Sequence, residues 1–367
     1  MTADVHAPKP DRAAPLATGG ALGWARANLF GSPASAVTTV LLAAFLGWAG
    51  WHIAQWAIFS AIWDHVAPEV CKANESGACW AFIAEKYRLI LFGRYPFDEH
   101  WRPLLAMFVL VGAVALSCDR RFWRAWLGYA WAGALAVFGF LMWGGLFGLT
   151  FVETRLWGGL PLTLILSVVG IVVAFPFSIL LALGRRSNMP AIRSVCVAYI
   201  EIIRGVPLIS LLFMASFMLP LFLPTGVKID ALLRAQVAII LFTAAYLAEV
   251  VRGGLQAIPK GQYEAGAAIG LGYWQSMRKV ILPQAIRAVI PPIVNTFIGM
   301  FKDTSLVAIV SLTDLLLATK QAISDPNWRA FFIEGYIFIA VIYFAFCFFM
   351  SRYSQHLETQ LRTGARR

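Results

Sequence analysis

Charge is scarce in this chain. Asp, Glu, Lys and Arg make up only 13% of its 367 residues, against about 25% in ordinary soluble domains. Histidine is nearly as sparse, with five in all. Only His52 falls within an apolar run, and there is no His/Glu metal spacing and no Ser/His pair, which argues against a membrane-embedded hydrolase or metalloenzyme. No Gly-x-x-x-x-Gly-Lys-Ser/Thr loop is present, so the chain does not hydrolyse ATP by that route. Long hydrophilic segments that could fold as a soluble domain are missing, as are fixed-period repeats and two related halves. Paired, interrupted spans in related halves would mark a secondary transporter.

Apolar sequence is what the chain has, at 60% hydrophobic residues. Runs long enough to cross a bilayer, about 20 residues each, lie at 38–60, 103–118, 125–148, 159–184, 195–222, 232–251, 284–312 and 331–351. They predict an all-α integral membrane protein of about eight transmembrane helices. The net charge of +11 follows topology. With the amino terminus in the cytoplasm, the segments 1–36, 118–124, 184–204, 249–287 and 352–367 are internal. They hold 19 Lys/Arg and 7 Asp/Glu, and the rest of the chain holds 11 and 12. That is the positive-inside pattern. It places both termini in the cytoplasm, makes the bilayer the chain's surroundings and leaves no excess for nucleic acid.

Residues 1–36, rich in Ala, Pro and Gly, read as a disordered cytoplasmic tail, and no signal peptide is visible. Residues 37–150 read as a three-span extension with an outer insertion at 64–102. Within the insertion, residues 80–92 have helical spacing of aromatic, aliphatic and charged side chains and suggest a helix in the outer headgroup layer; a docking site for a soluble partner is the other reading. Cys71 and Cys79 also lie there, where an oxidising exterior permits either a bridge or two free thiols. Cys118, Cys196 and Cys347 sit in or beside spans. Residues 151–367 form a second part of five spans, and hold nearly all the motif-like sequence.

The polar segment 252–283 carries the most informative stretch, Glu264-Ala265-Gly266-Ala267-Ala268-Ile269-Gly270. A turn at Ile258-Pro259-Lys260-Gly261 leads into a short helix over 262–269. Glu264 in its first turns suits the helix dipole, and Gly270 supplies a left-handed ending that residues with a side chain resist. A second short helix over 274–280 follows. Pro283 then fits the first turn of the next span, where its missing N–H costs nothing. The alanines and glycines give a nearly featureless surface, suited to close docking or simply to an ordinary connector.

The longer run from Tyr246-Leu-Ala-Glu249-Val-Val-Arg252 to Glu264, with Ile281-Leu-Pro283-Gln284 after it, closely resembles the EAA loop of permease subunits in importers driven by ATP-binding-cassette (ABC) ATPases, in the polar amino acid uptake branch. Tyr199-Ile-Glu201-Ile-Ile-Arg204-Gly205-Val-Pro207, Pro291-Pro292 and Lys302-Asp303-Thr304-Ser305-Leu306 match in order and spacing. The resemblance covers roughly 155–355, and the added spans and the Gly93-Arg-Tyr-Pro insertion look like the M-type permease of the general L-amino acid uptake system. Gly266 departs from the usual second alanine, and Ile269 from the common leucine. The resemblance implies a five-helix ABC importer permease core over 151–367 in a bacterial inner membrane. It implies no cofactor in this chain, with ATP and Mg bound by a dimer of partner ABC ATPase subunits. A second and different permease subunit and a periplasmic amino-acid-binding protein are the other implied partners. Glu264, Ala265, Gly266, Ala267, Gly270 and Pro283 would make the ATPase contact. An ATP-independent secondary transporter or channel for small polar solutes is the alternative.

Ionisable groups inside spans are functional candidates because hydrocarbon penalises them. Glu201 with Arg204, and Glu249 with Arg252, stand three apart and can pair on one helix face, as structural ion pairs or gate contacts. Lys302-Asp303-Thr304-Ser305 lies far enough past Pro283, at about 1.5 Å per residue, to fall beyond the bilayer centre. A charged pair with two hydroxyls can satisfy a helix break lining a cavity. Lys302 and Asp303 could meet the carboxylate and ammonium of an amino acid, with Thr304, Ser305, Asn295 and Thr296 nearby. An internal ion pair holding the broken helix is the other reading.

Overall fold

The computed structural model describes residues 20–74, 76–124 and 126–363. It is helical nearly throughout, and by compactness it divides into two units at Trp80/Ala81. The first unit contains α1 (Gly20–Leu29), α2 (Pro33–Ala54) and α3 (Pro68–Ala73). Ser32 and Ser35 cap α2 reciprocally, each satisfying a backbone N–H that helix geometry leaves without a partner. Gly20–Leu29, expected as unstructured tail, is helical, and the tail's earlier residues lie outside the described ones. Cys71 and Cys79 are joined by a disulfide with Cα atoms 5.7 Å apart, a separation that a bridge spans without backbone movement.

The second unit contains everything from Ala81 onward, so the last two extension helices pack with the core. It runs α4 (Ala81–Phe92), α5 (Trp101–Cys118), α6 (Trp126–Trp143), α7 (Gly159–Arg185), α8 (Pro190–Gly205), α9 (Leu208–Phe213) and α10 (Leu219–Phe222). Then follow α11 (Ala231–Gln256), α12 (Lys260–Ala268), α13 (Tyr273–Ser276), α14 (Leu282–Ala288) and α15 (Ile290–Asp303). A two-residue strand, β1 (Thr313–Asp314), precedes α16 (Leu315–Ile323) and α17 (Phe332–Thr363). Among the described residues seven helices are long and apolar enough to cross a membrane, or eight if one bent pair counts as a single span.

That bent pair corrects the expected span over 195–222. The chain turns by 103° between Pro190–Gly205 and Leu208–Phe222. Val206 precedes Pro207 and is extended, with φ −109° and ψ 134°, because the proline ring disfavours helical backbone in the residue before it. A second correction concerns Pro283. It opens α14, a short helix that ends at Val289, and the span itself begins at Ile290 with Pro291 and Pro292 in its first turn. Lys302 is therefore about 18 Å along its helix from Ile290.

The α4 helix packs on protein. Phe82 and Ile90 are fully buried, Phe82 meets the Trp328 ring at 5.9 Å, and Lys86 pairs with Asp325 at 2.8 Å. Gly93 comes so close to Gly158 that a Cβ on it would stand 2.6 Å from the Gly158 Cα. Beside this contact Asp314 caps α16, accepting from the Leu316 and Leu317 amides at 3.0 Å each. Burial pushes its carboxyl up to about 6. The short α16 had no counterpart in the eight apolar runs.

Candidate coupling and translocation site

The α11 helix runs directly into the polar segment, and Pro259 starts α12 as its N-cap. At the other end of α12 the Leu271 amide donates to the Gly266 carbonyl at 3.0 Å and the Gly270 amide to the Ala267 carbonyl at 2.9 Å. This is the Schellman arrangement, with Gly270 at φ +77°, a conformation a side chain resists. The inner side of α12 is held by its own chain. The Tyr263 hydroxyl donates to the Leu255 carbonyl at 3.1 Å, and the Gln284 side chain donates to Gln262 at 3.1 Å. Gly266 alone is buried. A Cβ there would lie 2.8 Å from Ser276 Oγ, so the glycine that departs from the usual alanine lets α12 and α13 approach.

Glu264, Ala265, Ala267, Ala268 and Gly270 are exposed. Alongside them Ile269 is 75% exposed and Trp274 67%, with Tyr273 also open. An open knob of small and apolar side chains thus stands on a backbone fixed by a Schellman turn and internal hydrogen bonds. Pro283, placed in the contact by the sequence, lies in the first turn of α14 rather than on α12. Ile269, Tyr273 and Trp274 were missed as knob residues. Their signal was present as large apolar residues flanking Gly270 in an otherwise polar segment.

Just above α12 the four expected ion-pair residues form one network, not two pairs. Glu249 and Arg252 pair as expected, at 2.9 Å. Glu201 and Arg204 do not pair. The Glu201 carboxylate binds Arg185 of α7 at 2.8 Å, while Arg204 reaches toward Glu249 at 3.9 Å. Arg185 also binds Glu249 at 3.1 Å. Glu249 thus draws together guanidiniums from α7, α8 and its own helix. The Arg204 guanidinium lies 5.5 Å from the Tyr246 ring centroid, a distance at which a cation is attracted to the ring face.

Along α15, Asn295, Gly299 and Lys302 recur at helical spacing on one face. Asn295 and Lys302 are exposed, and a Cβ at Gly299 would meet nothing within 4 Å. Ile293, Met300 and Phe301 bury the opposite side. The helix breaks where expected, ending at Asp303 and continuing as a tighter turn over Thr304–Val310. Thr304 is fully buried, its hydroxyl donating to the Phe301 carbonyl at 2.7 Å, so it serves the break. Ser305 and Asp303 are half-buried, Thr296 is tied to the Pro292 carbonyl at 2.9 Å, and neither Lys302 nor Asp303 forms an ion pair among the described residues.

The described residues thus make a multi-pass helical membrane protein with an exposed short helix in its polar segment. The chain belongs to the family described as binding-protein-dependent transport system inner membrane component, which matches residues 174–363. It is 48% identical over 365 residues to the inner membrane amino-acid ABC transporter permease protein YhdY of Escherichia coli (strain K12), with 97% of each chain covered. It is 38% identical to the glutamate/glutamine/aspartate/asparagine transport system permease protein BztC of Rhodobacter capsulatus, over 99% of this chain and 98% of that one. A solved structure titled as an amino acid ABC transporter with histidines shares 32% identity over 54% of this chain and 90% of that chain, with a TM-score of 0.48. The chain is an integral membrane, multi-pass permease subunit of an ABC transporter, a transport component.

Proposed function

We propose that this permease carries L-amino acids inward, and that α12 receives the force for doing so from a dimer of separate ABC ATPases that bind ATP and Mg. The observation that carries the reading is the α12 knob, whose backbone is locked while its apolar surface is open. In this reading both termini and α12 face the cytoplasm, as the distribution of basic residues supports. A second, different permease chain completes the path, and a periplasmic binding protein delivers the substrate. Both relatives that match along nearly their whole length are named as amino-acid permeases, which supports the substrate class. The open α15 face then lines the path, with Lys302 offering a donor to a substrate carboxylate and Asp303 an acceptor for its ammonium. Glu249 and its three arginines lock α7, α8 and α11 into one lever directly above α12.

The test is uptake by the reconstituted importer with wild-type chain and with Gly270→Val. A β-branched residue at φ +77° is strained by about 1–2 kcal/mol and displaces the knob. We expect at least a hundredfold loss of ATP-dependent uptake, with the binding protein's own affinity for amino acid unchanged. Normal uptake by the variant, or uptake by this chain alone driven by an ion gradient, contradicts the coupling reading and favours a secondary transporter.

A further inference from the structure

An apolar cleft of about 480 Å³ lies between the two extension helices α5 and α6 and the core helices α7, α15 and α17. Along α7 it runs from Leu164 to Val172, about 12 Å, which is close to the depth of one leaflet's hydrocarbon, roughly 15 Å. Its walls offer water nothing. The one hydroxyl among them, Ser167, already donates to the Thr163 carbonyl at 2.6 Å. The Trp131 indole donates to Ser117 at 2.8 Å. An apolar hollow without free polar groups does not hold water. Val111, Val172 and Phe349 are more than 40% exposed, so the cleft opens sideways, toward lipid.

One end of the cleft is basic. On α5 the lining stops at Ala115, shortly before the α5–α6 connection that carries Arg121 and Arg124. The Tyr353 hydroxyl donates to the Cys118 carbonyl at 3.1 Å, bringing its neighbour Arg352 to the same level. Arg121, Arg124 and Arg352 are exposed, and none forms an ion pair among the described residues. Trp123 and Trp126 are exposed beside them, as indoles at the headgroup level are. Hydrocarbon walls ending at unneutralised guanidiniums between helices match an acyl chain ending in a phosphate.

We propose that this cleft is a binding site for one anionic phospholipid, with an acyl chain between α5 and α17 and its phosphate at Arg121, Arg124 and Arg352. The site would seal the extension helices to the core through lipid. It does not depend on what the permease carries.

The experiment is native mass spectrometry of the full chain in detergent, with phosphatidylglycerol and phosphatidylcholine added singly. Ala115→Phe on α5 and Ala345→Phe on α17 fill the cleft from exposed positions, each without touching the helix core. Wild type should retain one phosphatidylglycerol and bind it at least tenfold better than phosphatidylcholine. Either cleft-filling variant should lose that lipid, and Arg121→Gln/Arg124→Gln/Arg352→Gln should lose the headgroup preference while keeping the fold by circular dichroism. Equal retention of both lipids by wild type, or unchanged retention by both filled variants, would overturn the proposal. So would a photo-crosslink from Ala115 that captures a second permease chain in the assembled importer in place of lipid.

Discussion

The ends of α8 and α11 carry the same pattern, Glu201-Ile-Ile-Arg204-Gly205 and Glu249-Val-Val-Arg252-Gly253, yet fold to different ends. At α11 the pair closes on itself and the helix continues to Gln256 before α12. At α8 the pair is open, and Pro207 turns the chain through 103°. Spacing of three makes a pair possible; a third helix decides whether it forms. Arg185 of α7 holds Glu201 at 2.8 Å, and Arg204 is left at 3.9 Å from Glu249. Burial follows the same division, with the Glu249 side chain 15% exposed and that of Glu201 55%. Water screens the outer carboxylate, and the inner one organises the network.

Substitutions at these positions break or sharpen the contrast. Glu249→Gln leaves Arg252 and Arg204 without a carboxylate partner and Arg185 with Glu201 alone, and its cost should be the largest, on the order of 3 kcal/mol. We expect an unfolding midpoint several degrees lower in detergent and severely reduced uptake; a variant as stable as wild type would mean that the network holds nothing. Arg185→Gln releases both carboxylates at once and should cost about 2 kcal/mol, read in the same melting experiment. The sharpest comparison is Arg252→Gln against Arg204→Gln. Sequence pattern alone makes them equivalent, whereas the geometry predicts about 1.5 kcal/mol for Arg252, which has bonds of 3.1, 3.0 and 2.9 Å to Glu249. Arg204 should cost about 0.5 kcal/mol or less, as long or exposed pairs do. Equal costs would erase the distinction.

Much of the path from sequence to site was legible residue by residue. Gly270 announced a left-handed helix end, and the polar residues at Lys302–Ser305 announced a helix break, because both depend on local backbone chemistry. Cys71 and Cys79 left a bridge open, and the fold closes it. Contacts set by distant segments were not legible. Nothing in residues 201–204 says that Arg185 stands opposite. The run 195–222, polar breaks included, was counted as one span, since hydropathy does not register the turn at Val206-Pro207. Pro283 seemed to open a span because it heads the apolar run, whereas Pro291 and Pro292, lacking the N–H groups that would bond back to Arg287 and Ala288, end α14 and start the span anew. The length of α4 was readable, but not that its apolar face would be covered by α16 and Trp328 rather than by lipid.

The central claim is that the α12 knob meets an ATPase. A photoreactive amino acid at Ile269, the most exposed apolar position of the knob, tests it directly in membranes holding the complete importer. Irradiation should yield one principal adduct, with the ATPase subunit, whose yield changes when ATP is supplied. Adducts with the substrate-binding protein, or labelling of position 269 by reagents confined to the periplasmic side, would contradict the account.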